Sequence, residues 1–124
     1  MSITRFLDPK KQIVSFIRLT GPPDAPSVTN ITVDGKQCSL QWTKPYDGES
    51  PIVMYTVYIW LFIATNGSRY KQRVNSWNTT KSNYTLELEW AHNYTASVSA
   101  WNRYGESSSG LERQFRTGQV PQGN

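Results

Sequence analysis

Cysteine and histidine occur once each in these 124 residues, as Cys38 and His92. A single cysteine cannot close an internal disulfide, so whatever fold forms must be held by burial of side chains. One imidazole and one thiol are too few for a zinc cluster, and neither a Cys-His nor a Ser-His pair with an orienting partner can be assembled. His92 reads as a turn residue. The sequence also lacks a glycine-rich phosphate loop and an Arg-Gly-Asp tripeptide. Glu87 and Glu89 stand two apart on one expected strand and would face solvent together, which describes a charged surface rather than a general acid and base. The chain is therefore expected to be no enzyme and to hold no cofactor or metal.

Long apolar runs are missing too. The first twenty residues contain none long enough for the core of a signal peptide, so no secretory address of that kind is expected there. The uncharged run Ile52 to Ala64 has 13 residues, short of the roughly 20 that a membrane helix needs, and reads as a buried strand. No direct membrane insertion is expected. The net charge is +4, but Arg5, Lys10, Lys11 and Arg18 against Asp8 place +3 of it before Gly21. A nucleic-acid footprint would need a basic stripe on the folded face, so no nucleic-acid partner is expected. The apolar fraction of 37% and aromatic fraction of 13% suit a folded domain, and the length suits one.

Three parts are expected. Residues 1–21 form a tail or the remnant of a preceding domain, since Gln12 to Leu19 is rich in β formers but has no partner strands to bury its faces. Of the two, the tail is the preferred reading. Residues 22–118 form the domain, entered through the extended Gly21-Pro22-Pro23-Asp24-Ala25-Pro26 linker. Residues 119–124 form a mobile C-terminal tail. No internal repeat is present.

Within the domain, Val28 to Val33 reads as a first strand and Asp34-Gly35 as the two-residue turn into a second. There Cys38, Leu40 and Trp42 alternate with polar residues and point inward, which makes the cysteine a small hydrophobe. Lys44 to Pro51 is a loop by its prolines and glycine. Ile52, Tyr55, Val57 and Ile59 follow as the inner side of a third strand. Asn66-Gly67-Ser68 turns the chain into a short polar edge strand, Arg69 to Val74, and Trp77 to Ser82 is a loop. A strand over about Asn83 to Leu88 comes next. After it Tyr94, Ala96, Val98 and Ala100 are spaced by two, so one strand face is buried. Leu88, six residues before Tyr94, suits a tyrosine corner, in which a buried phenol bonds to backbone just upstream. Asn102-Arg103-Tyr104-Gly105 reverses the chain into a weakly patterned last strand, Ser109 to Arg116.

Leu86 to Gly105 resembles two consecutive strands of a fibronectin type III domain. Trp42, Pro45, Asp47-Gly48, Pro51-Ile52, Tyr55 and Val57 are similar to an earlier strand, loop and strand of the same family. With Leu88, Tyr94, Ala100, Asn102 and Gly105 in the family's usual places, the resemblance covers about Pro22 to Thr117. It implies an all-β fold, an immunoglobulin-like seven-stranded antiparallel β-sandwich, with Trp42, Leu88 and Tyr94 as structural residues. Trp90 stands where the family often has proline, so that turn is expected to differ.

Five of the eight asparagines, Asn30, Asn66, Asn78, Asn83 and Asn93, have Ser or Thr two residues on, whereas chance would give about one or two. That density points to a secretory compartment. Asn66 and Asn78, in expected loops, are the better placed acceptors, and Asn93 directly precedes the buried Tyr94. The resemblance and the sequons together imply a binding and spacer module of a cell-surface adhesion molecule or receptor. Its partners would be neighbouring domains of the same chain and other cell-surface or matrix proteins. The alternative is an intracellular spacer of a cytoskeletal or muscle giant protein, where a free cysteine is unremarkable. Alternation leaves Thr56, Tyr58 and Trp60 on the outer side of the third strand and Trp101 on that of its neighbour. Tyr58, Trp60 and Trp101 are the candidate partner-binding residues, beside Arg69 or Arg73. The competing expectation is that these rings cover themselves by cross-strand pairing and cation-π stacking, with Trp60 and Trp101 at opposite ends of the strand pair.

Overall fold

Period-two alternation drives most of the chain into strands. The computed structural model describes residues 4–6, 14–16 and 20–121. Among them the strands are β1 (Thr4–Phe6), β2 (Val14–Phe16), β3 (Ser27–Asp34), β4 (Gln37–Thr43), β5 (Met54–Thr65), β6 (Ser68–Thr79), β7 (Asn83–Glu87), β8 (Asn93–Asn102), β9 (Gly105–Glu106) and β10 (Arg113–Arg116). β1 and β2 pair with each other, within the stretch expected to be a tail or a remnant. The rest of residues 1–19, and residues 122–124 of the expected C-terminal tail, lie outside the described residues.

The remaining strands make two antiparallel sheets, β3-β4-β7 and β10-β8-β5-β6, with β9 on the end of β8. This is the expected all-β sandwich of immunoglobulin-like type. Its core lies between the sheets: Val28, Cys38, Leu40, Trp42, Leu86 and Leu88 from one side meet Tyr55, Val57, Ile59, Tyr94, Ala96, Val98 and Ala100 from the other. Trp42 packs edge-on against Tyr55 with ring centroids 5.5 Å apart. Two side chains close the ends of β8. Tyr94 accepts the Glu89 N–H on its phenol oxygen at 3.1 Å. At the far end Asn102 donates Nδ2 protons to the carbonyls of Gly21 and Asp47, both at 2.7 Å, and accepts the Tyr104 N–H on Oδ1 at 2.8 Å. One buried amide thus ties the entering linker, the 44–51 loop and the β8–β9 turn together. Gly48 is required there: at φ +73°, a Cβ on it would lie 2.1 Å from the Gly21 carbonyl oxygen.

Several local expectations are corrected. The first hairpin turns on Gly35-Lys36, with Asp34 paired to Gln37, because Gly35 at φ +64° takes the first central position. β6 is twelve residues long, not a short strand over Arg69–Val74, and Trp77–Thr79 belong to it rather than to a loop. The cause is a bulge: Ile59 pairs with Asn75 and Trp60 with Arg73, so Val74 is skipped and the alternation that marks a strand is broken. Beyond the bulge Trp77 packs on the core and against Tyr84, at 6.2 Å between rings. Asn78 is therefore on a strand. The run Ile52 to Ala64 is fully buried only in its middle, since the distal part of the β5–β6 hairpin reaches past the core. The last strand is split into β9 and β10. Between them Ser107 takes the Ala100 N–H on its hydroxyl at 2.9 Å, and Gly110 lies against the Pro26 carbonyl, 2.0 Å from where a Cβ would stand.

Two outcomes follow from this packing. Tyr94→Phe keeps the ring but leaves the Glu89 N–H without its acceptor, so urea unfolding should show a loss of about 1 to 3 kcal/mol; unchanged stability would remove the corner from the list of supports. Burial pushes the Cys38 thiol up to about 11 from its ordinary 9.0. Between those two values the unfolded chain binds fewer protons than the folded one, so stability should fall as pH rises from 9 to 11. At pH 8 a thiol reagent should label Cys38 only after denaturant is added, whereas fast native labelling would mean that β4 is one residue out of register.

Candidate interaction surface

The candidate face is the outside of the β10-β8-β5-β6 sheet. On β5 the outward positions are Thr56, Tyr58, Trp60 and Phe62, and β8 runs antiparallel beside it with Tyr58 opposite Ser97 and Trp60 opposite Thr95. Tyr58 and Trp60 stack, with centroids 5.9 Å apart and planes at 27°. Cations from β6 cover both: the Arg73 guanidinium lies 5.1 Å from the centre of the Tyr58 ring, and Lys71 Nζ lies 4.8 Å from that of Trp60. Each ring's negative π face thereby meets a positive group.

Carboxylates complete the ladder. The Tyr58 phenol donates to Glu106 Oε2, and Ser99 Oγ donates to the same oxygen at 2.5 Å. Burial, and then the Glu106 carboxylate that it bonds, push the Tyr58 phenol pKa up. Glu112, from the segment between β9 and β10, forms an ion pair with Lys71. Side chains from 106–112 therefore cross over β8, which explains why its polar residues Thr95, Ser97 and Ser99 are as buried as its apolar ones. Alternation alone had marked one face of β8 as buried; both are. Thr56, expected to show on the outside, is also buried.

Trp101 belongs to a different cluster. Its Nε1–H donates to Thr56 Oγ1, which in turn donates to Asn78 Oδ1, both at 2.8 Å. Trp101 pairs with Met54 at one end of β8 and Trp60 with Thr95 near the other. Six residues of strand separate them, roughly 20 Å, so Tyr58 and Trp60 share one surface and Trp101 does not. Arg73 is the arginine on this surface, and Lys71, Glu106 and Glu112 join it. Phe62 was legible, since it continues the series 56, 58, 60 by two. Glu106 and Glu112 were not, because nothing in the weakly patterned last strand says that it breaks.

The five sequon asparagines are all exposed: Asn30 on β3, Asn66 in the β5–β6 turn, Asn78 on β6, Asn83 on β7 and Asn93 at the start of β8. Asn102, which is not in a sequon, is buried. Of the structural trio, Trp42, Leu88 and Tyr94 all sit in the core.

The two tryptophans should separate on mutation. Trp60→Ala exposes Tyr58 and leaves Lys71 to Glu112 alone, which predicts weaker self-association or domain binding with most of the stability kept. Trp101→Ala removes the indole N–H that the buried Thr56 hydroxyl accepts and should cost about 1 to 3 kcal/mol in unfolding measurements without changing association. Equal losses of stability with no change in association would assign both rings to the fold alone.

The geometry agrees with what sequence and structure comparisons find. The fibronectin type III domain family model matches residues 21–116. Among solved structures, the third fibronectin III domain of human KIAA0343 protein aligns with a TM-score of 0.65 at 20% identity, over 84% of this chain and 89% of that one. Domains d3-d4 of the rat CD45 extracellular region give 0.62 at 12% identity, over 94% and 62%. Titin kinase and its flanking domains give 0.55 at 24% identity, over 80% and 17%, so the chain spans well under two thirds of that structure. No curated protein matches the chain. At these identities the solved structures carry the fold alone, whereas the family match extends over most of the sequence: the chain belongs to the fibronectin type III domain family.

Proposed function

We propose that this fibronectin type III domain is an extracellular interaction and spacer module of a cell-surface adhesion or receptor protein. Domains of this family are in general non-catalytic modules that contact neighbouring domains and other proteins. The observation that carries the extracellular reading is the exposure of all five sequon asparagines, a density well above chance. The interaction surface of this reading is the Tyr58–Trp60 ladder on the outer face of the β10-β8-β5-β6 sheet. Stacked rings held by Arg73 and Lys71 are rigid and amphipathic, the type of anchor that recurs in binding hot spots. Proposed partners are neighbouring domains of the same chain and proteins of other cell surfaces or the matrix.

The structural relatives do not decide location, since one is an extracellular region and another flanks a kinase. The deciding experiment is the mass of the protein from its native source before and after treatment with a peptide N-glycosidase. A loss of mass is expected. An unchanged mass would overturn the extracellular reading and favour an intracellular spacer.

A further inference from the structure

An open groove of about 380 Å³ lies on the outer face near the start of β8, lined by Phe62, Asn93, Thr95, Gln114, Phe115 and Arg116 among others. Asn93 pairs with Arg116 of β10 on one side. On the other, the pairing of β8 with β5 ends at Tyr94 and Leu61, and Asn93 and Phe62 are the next residues outward. Phe62 is half-buried, with no ring partner of its own among the aromatic contacts of the described residues. A sequon asparagine therefore stands beside an unstacked aromatic ring, at the rim of a groove with the volume of a small-molecule site.

We propose that this groove seats the first sugar of an N-linked glycan carried by Asn93, with Phe62 as its stacking platform. The inference rests on the extracellular reading above. An N-acetylglucosamine has an apolar C–H face that suits an aromatic ring. Its hydroxyls and acetamide match the Gln114 amide and the Arg116 guanidinium, which supply donors and an acceptor at the opposite wall. The other sequons differ. Asn78 holds its amide oxygen in a hydrogen bond from Thr56, Asn66 is at a turn tip, and Asn30 and Asn83 lie on the two edge strands of the other sheet.

The attachment is a group transfer from a polyprenyl-diphosphate oligosaccharide. The bond from Asn93 Nδ2 to the anomeric carbon forms, the bond from that carbon to the diphosphate oxygen breaks, the amide proton goes to a base, and the carrier diphosphate leaves. Thr95, the hydroxyl residue of this sequon, is 2% exposed. The transferase must read that hydroxyl, so the transfer precedes the closing of the sheet over β8, and the sugar is in place when Phe62 packs.

The test is a double-mutant cycle in two hosts, on the full chain fused to a secretion signal in mammalian cells and on the same chain from bacteria, which attach no such glycan. Glycopeptide mass spectrometry should find Asn93 occupied in the secreted protein. There Asn93→Gln should lower Tm by about 4 to 8 °C, the size of one aromatic contact in a domain of this length. That loss should vanish in a Phe62→Ala background, and the bacterial proteins should show no coupling between the two changes. Phe62→Leu, which keeps bulk but not the ring, should also lose the coupling and serves if the alanine variant fails to fold. Coupling of the same size in both hosts, no coupling in the secreted set, or an unoccupied Asn93 beside an occupied Asn66 would each overturn the proposal. The question of native location is answered separately, by the mass of the native-source protein.

Discussion

Burial of β8 on both faces is the constraint on which the rest depends. Its inner side, Tyr94, Ala96, Val98 and Ala100, closes the space between the sheets against Cys38, Leu40 and Trp42. Its outer side is polar, and Thr95, Ser97 and Ser99 could be buried only because other side chains reach over them. Glu106 serves as common acceptor for Tyr58 and Ser99, and the ion pair of Lys71 with Glu112 spans the strand. Of the hydroxyls on this covered face, Ser99 Oγ finds the Glu106 carboxylate, whereas Ser97 Oγ is buried without a hydrogen-bond partner.

The ends of β8 are where local strain is held. At one end the Asn102 amide ties together Gly21, Asp47 and Tyr104, beside Gly48 and Glu49, which are both at positive φ. At the other, Tyr94 meets the Glu89 N–H, and Thr117 donates to the Glu89 carbonyl at 2.6 Å while accepting the His92 N–H at 3.0 Å. Ala91 adopts φ +56° there, and the indole of Trp90 before it lies against Gly35, under Lys36 at 5.8 Å. His92 directly follows that turn, held by its backbone bonds to Thr117 and by its ring, which bonds the Trp90 carbonyl and stacks on Tyr94 at 6.1 Å. Both ends therefore combine a buried side chain that bonds several backbone groups, Asn102 or Thr117, with a residue at positive φ, Gly48 at one and the strained Ala91 at the other.

Function on such a scaffold belongs to what the sandwich leaves outside. The stacked Tyr58 and Trp60 with their cations form one outward surface, and the Phe62 groove with Asn93 adjoins it along β5. Trp101, at the other end of β8, is drawn into hydrogen bonding with Thr56. That bond to a buried hydroxyl fixes the half-buried Trp101 ring to the fold, whereas the Trp42 indole N–H is buried with no such partner.

By itself the sequence determined which residues alternate. From that came the all-β class, the inward Cys38, Leu40 and Trp42, the Leu88 and Tyr94 pair, the Asn102 turn and the outward Tyr58 and Trp60. Each of these is a local pattern of period two or a turn residue with intrinsic dihedral preferences, so it can be read from neighbours in the chain. What only the tertiary structure decided was everything set by residues far apart in sequence. The β6 bulge, the strand position of Asn78, the split between β9 and β10, and the reach of Glu106 and Glu112 across β8 all depend on which strands lie side by side. The same is true of the placing of Asn93 beside Phe62, thirty-one positions earlier in the chain. Register couples these residues through the antiparallel ladder, and a ladder is a relation between strands that no single strand's pattern contains.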